Sequence, residues 1–244
     1  TGNHLRPADV RLPLLDPAVQ THDRVAALPQ LAKRLVSQPR RLLIRGNTKL
    51  GRRIWHFSLP PVYTCPGATD VCLTDCYAIR YTQRWHNTLE LYLHNYQLSR
   101  YQRFSDLIVR EIKFYNYSIV RLHVSGDFYD SEYLSKWQRI FTDCPATIFY
   151  FYTRSWSRPD MSVQLSHCAR LPNVRVWYSF DRLSGIPPKP PGVRLAYMSE
   201  DSNDHPPAGS DLVFRVRDRS KKAVYLDGVR VCPVENGTAA GHEM

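Results

Sequence analysis

The chain has 244 residues, 43% of them hydrophobic, which favours one α/β domain with its own core and room for a small appendage. A formal net charge of +11 and a pI near 9.5 point to an anionic partner, nucleic acid before a membrane surface. No run of 18 apolar residues and no secretory leader is visible, so no membrane span and a cytoplasmic setting are expected, and six cysteines are too sparse for a disulfide scaffold.

Residues 1–39 carry Pro7, Pro13, Pro17, Pro29 and Pro39 and read as an N-terminal arm or cap, with residues 40–244 as a single α/β domain. Two apolar runs, 40–45 and 53–58, flank Gly46-Asn47 and predict a hairpin. Three cysteines follow within twelve residues, at positions 65, 72 and 76. From about residue 86 to 116, Leu89, Leu93, Tyr96, Tyr101, Phe104, Leu107 and Ile108 keep helical spacing and predict one long helix or two.

After Ser118, strands and helices alternate. Strands are expected at 119–124, 147–152, 174–178 and 193–197, with two more at 212–216 and 223–225. Helices are expected at 131–141, capped by Ser131, and at 160–170, stopped by Pro172. The tract Pro187-Pro188-Lys189-Pro190-Pro191 replaces a helix with a stiff connection. Repeated βα units imply a parallel sheet. The predicted strands run into Ser125-Gly126-Asp127, Thr153-Arg154-Ser155, Ser179-Phe180-Asp181 and Ser199-Glu200-Asp201. Carboxyl ends of parallel strands share one rim, where α/β folds place their sites. Asp127, Arg154, Asp181 and Glu200 are therefore candidate catalytic groups, with His123 inside the preceding strand as a further acid–base or metal candidate.

Cys65, Cys72 and Cys76 are candidate metal ligands, because three thiolates in a short loop containing Pro66 and Gly67 suit an inorganic centre. Six residues and then three separate them. Structural zinc favours paired short spacings, so a [4Fe–4S] cluster is expected before zinc. Cys232, followed by Pro233, is the candidate fourth ligand, whereas Cys168 and Cys144 read as small buried hydrophobes. Four thiolates close such a cluster, and three leave one iron open. No GxxxxGK[ST] or GxGxxG sequence is present, which argues against those modes of nucleotide chemistry.

Two basic runs are candidate phosphate contacts: Arg40, Arg41, Arg45, Lys49, Arg52 and Arg53, then Arg217, Lys221 and Lys222. Tyr63, Tyr77, Tyr81 and Trp85 beside the cysteine loop add rings on which bases can stack. The sequence leaves open whether the nucleic acid is DNA or RNA, and what the oligomeric state is.

Five ordered blocks carry a family resemblance: Gly46 to Arg52, Thr64 to Thr69, Cys76-Tyr77-Ala78, Arg121 to Phe128, and Tyr152 to Trp156. Over residues 40–232 the chain resembles the phage gene product 88-like proteins of actinobacterial phages and plasmids, which implies a mobile genetic element and almost nothing about activity. It is more distantly similar to radical S-adenosylmethionine enzymes, with their three-cysteine loop after the first strand and a small-small-acidic turn after the second. That likeness implies a partial or distorted parallel (βα) barrel, an open-site [4Fe–4S] cluster and S-adenosylmethionine as a less favoured cofactor. The spacing departs from that family, since Ile79 stands where its next cysteine would fall. The combined expectation is an iron–sulfur protein that binds nucleic acid and cleaves or modifies it, with a radical or redox enzyme and a structural zinc protein as alternatives.

Overall fold

A computed structural model describes residues 41–46, 53–201, 203–215 and 225–232. Seven strands form one sheet in the order in which they occur: β1 (Ile44–Arg45), β2 (Ile54–Phe57), β3 (Ile119–Leu122), β4 (Ile148–Thr153), β5 (Val174–Phe180), β6 (Val193–Ser199) and β7 (Leu212–Arg215). β1 pairs antiparallel with β2, and every later neighbour pair is parallel. A small antiparallel hairpin, β8 (Tyr225–Leu226) and β9 (Val229–Arg230), turns over Asp227 and Gly228, both at positive φ. A single bridge from Val231 to Val213 ties it to β7. The expected arm at residues 1–39 lies outside the described residues.

The crossover from β2 to β3 is long and holds α1 (Asp70–Thr74), α2 (Tyr77–Arg84), α3 (His86–Ser99) and α4 (Phe104–Tyr115). The predicted stripe over 86–116 is thus two helices. Asn116 ends the second in the left-handed conformation that Asn tolerates. α5 (Ser131–Asp143) lies between β3 and β4, and α6 (Pro159–Cys168) between β4 and β5. Asp130, not Ser131, caps α5: its carboxylate accepts from the Tyr133 N–H at 2.7 Å. An Asp one residue earlier reaches that amide, and Ser131 is left in the first turn. The proline tract links β5 to β6 with no helix, as expected.

Alternate strand residues face the helices. Val120, Leu122, Phe149, Phe151 and Val176 are sealed against Leu93, Phe104, Ile108, Leu134, Trp137, Phe141 and Leu165. This apolar layer supplies the main driving force for folding. β3 stops two residues before the sequence pattern ends, because His123 turns left-handed (φ 60°) while its N–H still donates to the Phe57 carbonyl. Its ring points to the helix side, 3.0 Å from the Tyr133 hydroxyl and edge-on to Phe128. No helix among the described residues is long and apolar enough to cross a membrane.

Candidate functional site at the carboxyl ends of the strands

The segment after β2 is stitched across three strand ends. The Asp127 N–H, after β3, donates to the Thr64 carbonyl at 2.8 Å. The Thr69 side chain accepts from the Cys72 N–H, which caps α1, and donates to the Asp181 carboxylate after β5. Gly67 lies flat on the turn after β4: a Cβ there would stand 2.2 Å from the Arg154 carbonyl oxygen. Gly126 sits at φ +81°, and its Cβ would stand 2.6 Å from that of Leu59. Both glycines are close-approach residues.

The segment is more ordered than a loop. Cys65 precedes α1, Cys72 lies within it, and Cys76 is the cap residue of α2. All three are free and partly buried. Burial first, and then the nearby Asp127, Cys72 and Cys76, push the Cys65 thiol well above its ordinary pKa. Cys72 is pushed up to about 11, by burial and by Cys76, Asp181 and Asp127, against the pull of Arg154. The three sulfurs thus share one neighbourhood, in which Cys72 and Cys76 hinder the ionisation of Cys65, and Cys76 that of Cys72. A thiophilic cation would remove that hindrance. No group of three or more His, Cys, Asp or Glu side chains among the described residues is drawn together tightly enough to hold a metal ion. The donor set fits a thiophilic centre in kind, and the side chains would have to close on it.

Around the thiols the rim groups form a built network. Arg154 and Asp181 make an ion pair at 2.7 Å with both side chains almost sealed from solvent. Burial works against ionising Asp181, but Arg154, Thr69 and the Ser184 and Leu183 amides hold its pKa below the usual value. Asp127 is pushed up to about 6, by burial against its hydrogen bonds from Thr153, Arg154 and Phe128. Those bonds make it a clamp between the β3 and β4 ends as well as a neighbour of Cys65. Glu200 pairs with the exposed Arg182 at 2.7 Å. His123 belongs to the core: burial lowers its pKa to about 3, so it is neutral in the fold. The structure therefore brings together Cys65, Cys72, Cys76, Asp127, Arg154 and Asp181, while His123 and Glu200 have other partners.

Cys232 lies elsewhere. It is buried with Trp177, Ala196 and Leu212, on the sheet face away from the helices, and the groups acting on Cys65 and Cys72 do not include it. Cys144 and Cys168 are buried among apolar side chains. Of the basic residues, Arg41 lies 4.5 Å from the Tyr115 ring centre and 6.0 Å from that of Trp55, which stacks on Tyr117. Arg45 pairs in register with Trp55, and Arg53 just precedes β2. All three sit at the amino ends of the parallel strands, opposite the cysteines. Arg40, Lys49, Arg52, Arg217, Lys221 and Lys222 lie outside the described residues.

Beside the thiols, α2 turns Tyr77, Arg80, Tyr81, Arg84 and, at its end, Trp85 outward. The two tyrosines and Trp85 are each about half exposed. The Tyr77 hydroxyl nevertheless reaches in to donate to the Val124 carbonyl. Sequence reasoning missed two residues here, Thr69 and Arg121. Thr69 left the usual N-cap signal ahead of Asp70. Arg121 left a different one: a charge amid a run of strand residues in a sheet expected to be apolar on both faces.

The family model described as Gene product 88 matches residues 41–242. The Gene 88 protein of Mycobacterium phage L5 is 28% identical over 186 residues, 71% of this chain and 70% of that protein. The Gene 88 protein of Mycobacterium phage D29 is 28% identical over 130 residues, 49% and 52% of the two chains. No solved structure matches.

Proposed function

The chain belongs to the Gene product 88 family, and from that premise we propose that it is an iron–sulfur protein of a mobile genetic element that binds nucleic acid at the rim of its parallel sheet. One observation carries the reading: three thiols from 65–76 act on one another beside Asp127 and the buried Arg154–Asp181 pair, next to a helix that displays Tyr77, Arg80, Tyr81, Arg84 and Trp85. Cys65, Cys72 and Cys76 would hold the cluster, which supplies electron transfer or an open iron. Arg154 and Asp181 fix the floor beneath them. The tyrosines and Trp85 offer stacking faces, and Arg80 and Arg84 offer charge to backbone phosphates. In this reading Arg41, Arg45 and Arg53 are too far along the strands to share that surface, and they serve the edge of the sheet.

Anaerobically purified protein is expected to contain iron and acid-labile sulfide, lost in the Cys65→Ser, Cys72→Ser and Cys76→Ser variants and retained in Cys232→Ser. Single-stranded DNA and RNA are expected to bind with a steep salt dependence that Tyr81→Ala and Arg84→Ala weaken together. Zinc in place of iron, or binding that ignores salt, would reject the proposal.

A second reading has its own support. β2 to β7 are six consecutive parallel strands in sequential order, and the cysteines follow the first of them. In this reading a sheet of that order would curl into a partial barrel, and a cluster with one open iron in its mouth would make the protein a radical or redox enzyme. Reductive cleavage of S-adenosylmethionine by the reconstituted protein tests it.

A further inference from the structure

Among the described residues, the sheet face away from the helices carries a largely buried charge with no counter-charge. Arg121 lies on β3, in register with Tyr150 of β4 and His56 of β2. Its guanidinium stands 5.9 Å from the Tyr150 ring centre and 5.5 Å from that of Tyr152. Among the described residues its Nε is sealed from solvent and donates to nothing, and the buried Tyr150 hydroxyl interacts with this guanidinium and makes no other hydrogen bond. The groups that act on Arg121 are the phenols of Tyr150, Tyr77 and Tyr152 and the thiol of Cys232, all neutral unless they lose a proton. No Asp or Glu pairs with it among the described residues. His56, beside it, is itself held neutral, its pKa lowered to about 4 by burial and by Arg121. A buried guanidinium costs several kcal/mol unless an anion meets it, on the order of the penalty for any unpaired buried ion.

We propose that Arg121, with the Tyr150 hydroxyl, forms an oxyanion-binding site that takes the phosphate or carboxylate of a small ligand on the sheet face away from the helices, beneath Tyr77 and the cysteine segment. The planar donor fork of arginine suits either group, and a phenol completes the contact as a neutral donor. The adjoining surface is aromatic: Tyr152 stacks on Trp177 at 5.6 Å and meets Phe214 edge-on at 5.1 Å. It continues to Arg194, 5.2 Å from the Trp177 ring centre. The inference goes beyond the proposed cluster and needs no metal, so it stands or falls separately.

The test is thermal melting of the full chain in chloride, inorganic phosphate and acetate at matched ionic strength, with Trp177 fluorescence as a second readout. Wild-type protein is expected to show a saturable rise in Tm with phosphate, acetate or both, and the stronger of the two identifies the ligand class. Arg121→Gln is expected to weaken that response at least tenfold while melting in chloride at the wild-type temperature or above it, because it removes an uncompensated charge. Tyr150→Phe, which deletes only the hydroxyl, is expected to weaken it several-fold with the fold intact, and it carries the test if Arg121→Gln does not fold. The site is overturned if neither anion shifts the wild type, if Tyr150→Phe and Arg121→Gln respond as the wild type does, or if Arg121→Gln folds but melts well below it in chloride.

Discussion

The two faces of the parallel sheet are written by the same strands, one residue out of step, and have opposite chemistry. On β3 and β4 the residues Val120, Leu122, Phe149 and Phe151 are fully buried beneath the helices. Between them, Arg121, Tyr150 and Tyr152 point the other way, into a surface of phenols, indole and guanidinium. A parallel sheet usually reads apolar on both faces, because helices cover both. Here the helix face carries the larger apolar core, and the other combines a small buried cluster around Trp177 and Cys232 with polar groups that folding alone does not require. The carboxyl ends, where the cysteine segment crosses, join the two.

The sharpest way to break this contrast is to damage each side in turn. Phe151→Ala on the helix face is expected to cost ~3–5 kcal/mol, read as a shift in the urea midpoint, from lost burial and the cavity left behind. Asp181→Asn at the rim is expected to cost a comparable ~3–5 kcal/mol, because it strands Arg154 as a buried charge. It should also lower the pKa of Cys72, read by the pH dependence of alkylation, since a nearby carboxylate that raises that pKa is gone.

Acid sharpens the comparison, because each face holds one neutral histidine. His56 and His123 are held at about 4 and about 3, against an ordinary 6.5. A group whose folded pKa is depressed stabilises the fold fully above its unfolded pKa and loses that contribution as the pH falls toward the folded value. Stability should therefore fall steadily from pH 6.5 to about 4 through both residues, and on toward 3 through His123. By the free energy of a pKa unit the upper limits are ~3 kcal/mol for His56 and ~5 kcal/mol for His123. His123→Leu should flatten the acid limb of a Tm-against-pH curve and leave the neutral limb in place.

Thr69→Val should cost only ~1 kcal/mol, the price of a cap and one hydrogen bond, while loosening the cysteine segment over β5. Smallest of all, Arg139→Ala removes exposed ion pairs to Asp106 and Asp143 and is expected to change stability by under ~0.5 kcal/mol.

Much of the fold was legible because its signals are local. Strands 119–122, 148–153, 174–180 and 193–199 fall where runs of Val, Ile, Tyr and Phe predict them, and the break between α3 and α4 falls inside a stripe already read as one helix or two. The short helices around Cys72 and Cys76 were not legible, since five- and eight-residue helices depend on Thr69 and on tertiary contacts more than on periodicity. His123 stood in a strand pattern, yet a single left-handed residue sends its ring into the core. Cys232 matched the loop cysteines in kind, and its place beside Trp177 could not be read from spacing.

The sequence by itself determined the alternation of strands and helices, the parallel sheet, the close-spaced thiols and the acidic and basic residues at the strand ends, because each follows from neighbours within a few positions. Only the tertiary structure decided that Arg154 meets Asp181, that Gly67 must clear the Arg154 carbonyl, and that Arg121 stands without a counter-charge among the described residues on the face away from the helices. Those outcomes depend on distant segments meeting in space, and charge and burial are set there by what each side chain finally touches.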